Sequence, residues 1–360
     1  MKYRWLLLLA LSVAAVSCER KDTGTKLSIE YVREILSNPV CGESLILGRN
    51  RVPDVDACIS VTGDSASAEF CSSILASADF RDNVHGSYES DDLPDFAGET
   101  VEKITDEAYA PYGDYVSSGR TEELRAAVVS MAVSSLDTVS HLSLFDVDGL
   151  GVRQRTKIVV LSSPYAAAYG LYDVDSLFTA SGCKVQVVCP TADMIRAALD
   201  SASFCMGVIT TEELVRNRVH ERFFLDEIQA RGMVGAKCVS YAPGEDVESP
   251  LFAFLDDYVA KGNTKPIDAI VVDDMRVSRD AVCSDLARIA DIMNEEYITY
   301  SDIISPKIRV FGIREELCSR CYGILRSGNL FTHRISVPLK KQYVNVFNRS
   351  GVGTMIIENQ

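Results

Sequence analysis

The sequence predicts an α/β fold: a parallel sheet with helices on both faces, a more irregular N-terminal lobe before it and a C-terminal β-hairpin after it. Three observations carry this. The stretch 157–163 (KIVVLSS) is a short apolar run that ends in polar, turn-prone residues, as a buried parallel strand does. From there, strand-like and helix-like segments alternate almost to the C-terminus. Before it the chain is less regular and richer in acids.

The first element read as structure is a helix over 27–36, with Ile29, Val32, Ile35 and Leu36 on one face and Asn38-Pro39 as its stop. Residues 44–47, 57–61 and 72–76 read as short strands. An acidic loop follows over 79–99, bent by Gly86, Pro94 and Gly98. A loop of that length inside a compact domain is functional or disordered. Helices are expected over 100–108 and from Thr121, where Glu122 and Glu123 suit the first turn.

The regular half then pairs strand 157–161 with helix 165–179, for which Gly182 is the C-cap. Five more such pairs follow: 184–188 with 191–199, 205–209 with 212–230, 236–241 with 250–260, 267–272 with 279–294, and 308–312 with 315–326. Residues 335–337 and 343–358, broken at 348–351, read as a strand and a hairpin. The implied organisation is a signal segment (1–17), a tether (18–27), an N-terminal lobe (28–155), an α/β domain (156–333) and C-terminal strands (334–360).

The N-terminus supports an address. A basic start precedes an apolar run over 5–16 and then Ala15-Val16-Ser17-Cys18. That is the layout of a secretory signal, too short to span a bilayer comfortably. The four residues resemble the lipobox of bacterial lipoproteins, which implies lipidation of Cys18 and a cell-envelope location with the lipid as the only membrane contact. The chain has 360 residues and a formal charge of −15, which argues against nucleic acid as a partner. Ten cysteines remain after Cys18. Several sit in apolar strands, and buried free thiols are the expectation for most. Cys318 and Cys321 form a lone CxxC on a helix, without the second pair that a structural zinc needs.

In an open parallel sheet, ligands bind beyond the carboxyl ends of the strands. That rule nominates Ser162, Ser163, Tyr165, Thr210, Asp273, Asp274 and Arg314, with Thr191 and Thr211 read as helix caps. Hydroxyls, carboxylates and a guanidinium suit a small polar solute. Asp273 and Asp274 point to opposite sides of their strand, so they do not read as one dyad. A second candidate site is the acidic loop, with Asp79, Arg81, Asp82, His85, Asp95 and Glu99. No cofactor is required by these residue types. Calcium is the cation an all-oxygen loop would admit, although the spacing matches no EF-hand. There is no P-loop, nucleophile elbow or HExxH, and His220 stands only as a partner that a cysteine nucleophile would need.

Residues 266–275 (PIDAIVVDDM) resemble the segment of type I periplasmic binding proteins and sugar-binding repressor domains that leads a strand into Asn-Asp. Residues 308–313 (IRVFGI) are similar to their next strand, and 222–232 to their arginine-led helix. The resemblance implies a periplasmic-binding-protein-like scaffold in which Asp274 contacts sugar hydroxyls. It departs at Asp273, where the family has asparagine, and at Arg314, where it often has aspartate. The first reading is therefore a lipid-anchored receptor for a sugar- or nucleoside-like solute, with a transporter or surface complex as partner. The alternatives are a carboxylate- or cation-dependent hydrolase or isomerase, and a non-catalytic scaffold.

Overall fold

The computed structural model describes residues 29–82, 85–143, 146–201, 204–244, 247–294, 300, 302–334, 336–347 and 356–358. The signal segment, Cys18 and the tether lie outside these, as does the predicted break at 348–351. No helix among the described residues is long and apolar enough to cross a membrane.

Twelve strands are present among the described residues: β1 (Cys58–Gly63), β2 (Thr100–Asp106), β3 (Val139–Ser143), β4 (Asp146–Val152), β5 (Thr156–Leu161), β6 (Gln186–Val188), β7 (Cys205–Thr210), β8 (Lys237–Tyr241), β9 (Ile267–Asp273), β10 (Ile304–Gly312), β11 (Leu339–Asn345) and β12 (Ile356–Glu358). They form two sheets where one was expected. The larger has the order β4-β3-β12-β11-β2-β1-β5-β6 and the smaller β10-β9-β7-β8. The smaller is parallel throughout, as is the run from β11 to β6 in the larger.

The alternation in β5 shows why helices cover both faces. Val159 and Leu161 pack into one core with Leu124 and Met131 of helix Thr121–Ser134. Ile158 and Val160 pack into another, with Leu75 of helix Ser65–Ser77 and Leu317 of helix Ile313–Ser327. The smaller sheet is buried in the same way, with Ile270 and Val272 against Leu251 and Phe254 of helix Pro250–Ala260. Each large apolar side chain so buried contributes about 1.5–3 kcal/mol. Helix Pro190–Asp200 carries the chain from the first sheet to the second, and helix Ile313–Ser327 brings it back.

Several expectations are corrected. Residues 44–47 and 72–76 are helical, within Gly42–Arg49 and Ser65–Ser77. Asp64 starts the second helix by accepting the Ser67 backbone N–H at 3.0 Å. Residues 100–106 are a strand, not a helix, and lie between β1 and β11 with every residue buried. Their charges mimic a solvated helix face but are paired: Arg153 donates to buried Glu102 at 2.7 Å, and Lys103 to half-exposed Glu69 at 2.7 Å. The expected boundary at 155/156 runs through the larger sheet, because β5 pairs with β1. The C-terminal segment is no appendage. β11 is an interior strand beside β2, although it does pair antiparallel with β12.

Two long helices are broken. The first stops before Gly170, whose φ of 117° is left-handed and whose missing Cβ would lie 2.6 Å from Val128 Cβ. The second breaks at Arg218 (φ 51°), leaving a short helix Glu212–Arg216 that aims Glu213 toward the first sheet.

Candidate functional site

The carboxyl ends of both sheets open onto one cavity of about 310 Å³. β1 and the helix after it supply Asp64, Ser67, Phe70 and Cys71. Ser162, Ser163 and Tyr165 follow β5, and Tyr112 stands in the loop after β2. The second sheet contributes Thr211 and Glu213 after β7, and Asp273 and Met275 at the end of β9.

Asp273 is the most constrained of these groups. Its Oδ2 accepts from Thr191 Oγ1 at 2.7 Å and faces His220 Nε2 at 2.7 Å. A carboxylate only accepts, so the imidazole proton sits on Nε2. Thr210 donates to the Asp273 carbonyl at 3.0 Å. His220 and Thr191 are both buried, and both hold the same oxygen from behind. After β1 of the larger sheet, Asp64 accepts from the Ser67 backbone at 3.0 Å and from the Ser67 hydroxyl at 2.7 Å.

The cavity's thiol and phenols are held protonated. Burial raises the Cys71 thiol well above its ordinary range, and the Asp273 charge adds to it. The Tyr165 hydroxyl is raised by burial and by donating to Glu213 at 2.6 Å, and Asn217 donates to the same hydroxyl at 2.6 Å. Ser162 donates to the Thr62 carbonyl at 3.0 Å. Ser163 is 2 % exposed, and its hydroxyl has no partner among the described residues. Among the described residues no base touches either serine, so neither is set up as a nucleophile.

Tyr112 donates to Asp106 Oδ2 at 2.6 Å. Burial nevertheless pushes the Asp106 carboxyl up to about 6 from an ordinary 3.8. An acid whose folded pKa is raised gives a contribution to stability that is full below about pH 4 and lost as pH rises through about 6, worth about 3 kcal/mol. Asp193, also pushed up by burial to about 6, titrates in the same window. Urea unfolding across this range for the chain and for Asp106→Asn isolates the first group. The variant should lose about 3 kcal/mol less than the parent between the two ends. Equal slopes would remove Asp106 from the account.

The strand-end nominations divide. Ser162, Ser163, Tyr165 and Asp273 lie at this cavity. Thr210 is buried behind it. Asp274 and Arg314 line an adjoining cavity, where Asp274 is clasped by Arg276 at 3.0 and 2.7 Å. That pairing corrects the expectation that Asp274 is free for sugar hydroxyls.

The acidic loop does not converge on the cavity. Asp79 accepts from Ser90 at 2.7 Å and from the Asp91 and Asp92 backbone. Asp95 accepts the Phe80 and Arg81 N–H groups, Asp82 contacts His85 at 2.7 Å, and Glu99 is buried against Lys157 at 2.6 Å. Arg81 stacks between Tyr88 and Tyr322. These carboxylates fold the loop. Among the described residues no group of three or more His, Cys, Asp or Glu could hold a metal, so calcium finds no built cage there. Asp64, Cys71, Tyr112 and Glu213 were missed. Asp64 obeys the same strand-end rule, but β1 was not recognised as part of a parallel sheet.

No family model and no curated protein matches the chain. Solved structures do. Glutamate racemase from Francisella tularensis in complex with D-glutamate is 14 % identical over 82 % of this chain and 90 % of that one, with a TM-score of 0.47. Glutamate racemase isoform RacE1 from Bacillus anthracis is 15 % identical over 81 % and 88 %, with a TM-score of 0.44. A LacI-family transcriptional regulator from Silicibacter pomeroyi is 10 % identical over 91 % and 93 %, at a TM-score of 0.25. The resemblance to binding-protein-like folds is weak, and the α/β class rests on the chain's own helix-covered, largely parallel sheets. The solute-receptor reading is corrected at its principal contact: Asp274 is already taken by Arg276.

Proposed function

We propose that the chain is an isomerase that moves a proton at a carbon of a small amine-bearing compound, with Asp273 as its acid–base group. One observation carries this. Two carboxylates from different sheets, Asp64 and Asp273, line one cavity, and Asp273 is oriented by two buried donors on a single oxygen. Inverting a carbon needs a proton taken from one face and returned to the other, which asks for acid–base groups on both sides. Asp64 answers Asp273 from the other sheet.

The lining favours the substrate's charge. Asp64, Glu213 and Asp273 are acidic, and no Lys, Arg or His lines this cavity among the described residues. An ammonium group fits there. Its charge, with a neighbouring carbonyl, also acidifies the C–H to be broken. A hydrolase is less well served, because Ser162 and Ser163 lack a base and Cys71 is kept as a thiol.

The test is exchange in heavy water. Amino acids and small peptides incubated with the chain should lose the Cα–H signal in proton NMR and gain one mass unit. No exchange in any amine-bearing compound would sink the reading.

A further inference from the structure

A second cavity of about 380 Å³ adjoins the first and shares Phe70, Met275 and Ile313 with it. Its chemistry differs. Arg276, Arg279 and Arg314 reach it, and two long helices, Arg279–Asn294 and Ile313–Ser327, begin at its wall. Helix N-termini favour negative charge. Arg276 is committed to Asp274, and Arg279 donates to the Val310 carbonyl at 3.1 Å. Arg314 is exposed and makes no ion pair or hydrogen bond among the described residues. Beside it, Glu315 Oε2 is buried and lacks any donor among the described residues. Gly312 keeps the floor open: a Cβ there would lie 2.6 Å from Glu315 Oε2 and 2.8 Å from Arg279 Cβ.

The two adjoining cavities together present three demands. The first cavity is acidic and wants a cation. Glu315 Oε2 wants an N–H donor. Arg314 and the two helix starts want an anion. A free amino acid would occupy the first cavity and leave the second unused. We propose that the ligand is a short peptide with free ends, of dipeptide size: its ammonium group sits among Asp64, Glu213 and Asp273, its amide N–H meets Glu315, and its terminal carboxylate meets Arg314. This rests on the proton-transfer reading for which end reacts, but not for what binds.

Calorimetry on the full chain tests it with four probes: alanine, Ala-Ala, N-acetyl-Ala-Ala and Ala-Ala amide. Ala-Ala should bind about tenfold or more tighter than alanine, and each blocked form should lose that advantage. Arg314→Ala should erase the advantage and leave alanine unchanged, and Arg314→Lys should restore part of it. Arg314 is exposed and unpaired among the described residues, so neither change threatens the fold. The inference fails if Ala-Ala binds no tighter than alanine, if it does not bind up to about 10 mM, or if its advantage survives Arg314→Ala. Tight Ala-Ala binding without Cα–H exchange would overturn the proton-transfer reading and leave the ligand class standing. Exchange with alanine and no preference for Ala-Ala would do the reverse.

Discussion

Asp273→Asn should lower Cα–H exchange from one enantiomer by about 10²–10⁴-fold while the melting temperature stays near that of the parent. The amide keeps the shape of the carboxyl, and its oxygen can still accept from Thr191 or His220, which now hold Oδ2 at 2.7 Å each. What disappears is the ionisable group. Asp64→Asn makes the complementary case. Asparagine also caps helices well, so the first turn of Ser65–Ser77 should survive. If Asp64 and Asp273 serve opposite faces of the substrate, each variant should block exchange from one enantiomer and spare the other. Exchange is therefore measured from each hand separately. Full activity in a folded Asp273→Asn protein would remove Asp273 from the mechanism. Equal loss from both hands in both variants would replace the two-sided arrangement with a single base.

How far the sequence showed this site depends on which strands were visible in it. β5, β7 and β9 are apolar runs, so their ends could be found, and Ser162, Ser163, Tyr165 and Asp273 came with them. β2 was hidden by Glu102 and Lys103, which suit a helix surface until Arg153 and Glu69 are seen to neutralise them. Without β2, the loop that bears Tyr112 had no position. β1 was seen as a strand but had no partners, so Asp64 was passed over. The alternation of strands and helices also does not say where one sheet ends. Helix Pro190–Asp200 joins strands of different sheets, yet in sequence it looks like any other crossover. The cavity exists because of that change of sheet, which brings two sets of strand ends together. His220 showed no local signal at all, since its partner is 53 residues away.

Glu102→Ala should destabilise the chain by about 3–5 kcal/mol, because it strands a charge in the interior. Arg153 and Glu102 side chains are both 0 % exposed. Arg153 places Nε and Nη2 on Glu102 Oε2 at 3.1 and 2.7 Å. Its Nη1 donates to the Ser134 and Asp137 carbonyls at 3.3 and 3.0 Å, and its guanidinium lies 4.8 Å from the Tyr343 ring centre. One side chain thus ties β2, the end of helix Thr121–Ser134 and β11 into the middle of the larger sheet. Glu102→Ala leaves the two carbonyl contacts but no countercharge, and water cannot reach the site to replace it. Urea unfolding should show the loss as a lower midpoint with an unchanged slope. The partner change separates charge from shape. Combining Glu102→Leu with Arg153→Met removes both charges and keeps volume, so it should recover most of the stability lost in Glu102→Ala. Recovery would mean that the pair's role lies in avoiding an unpaired charge. A double variant as weak as the single one would mean that the carbonyl contacts of Arg153, which methionine cannot make, hold the sheet to the helix.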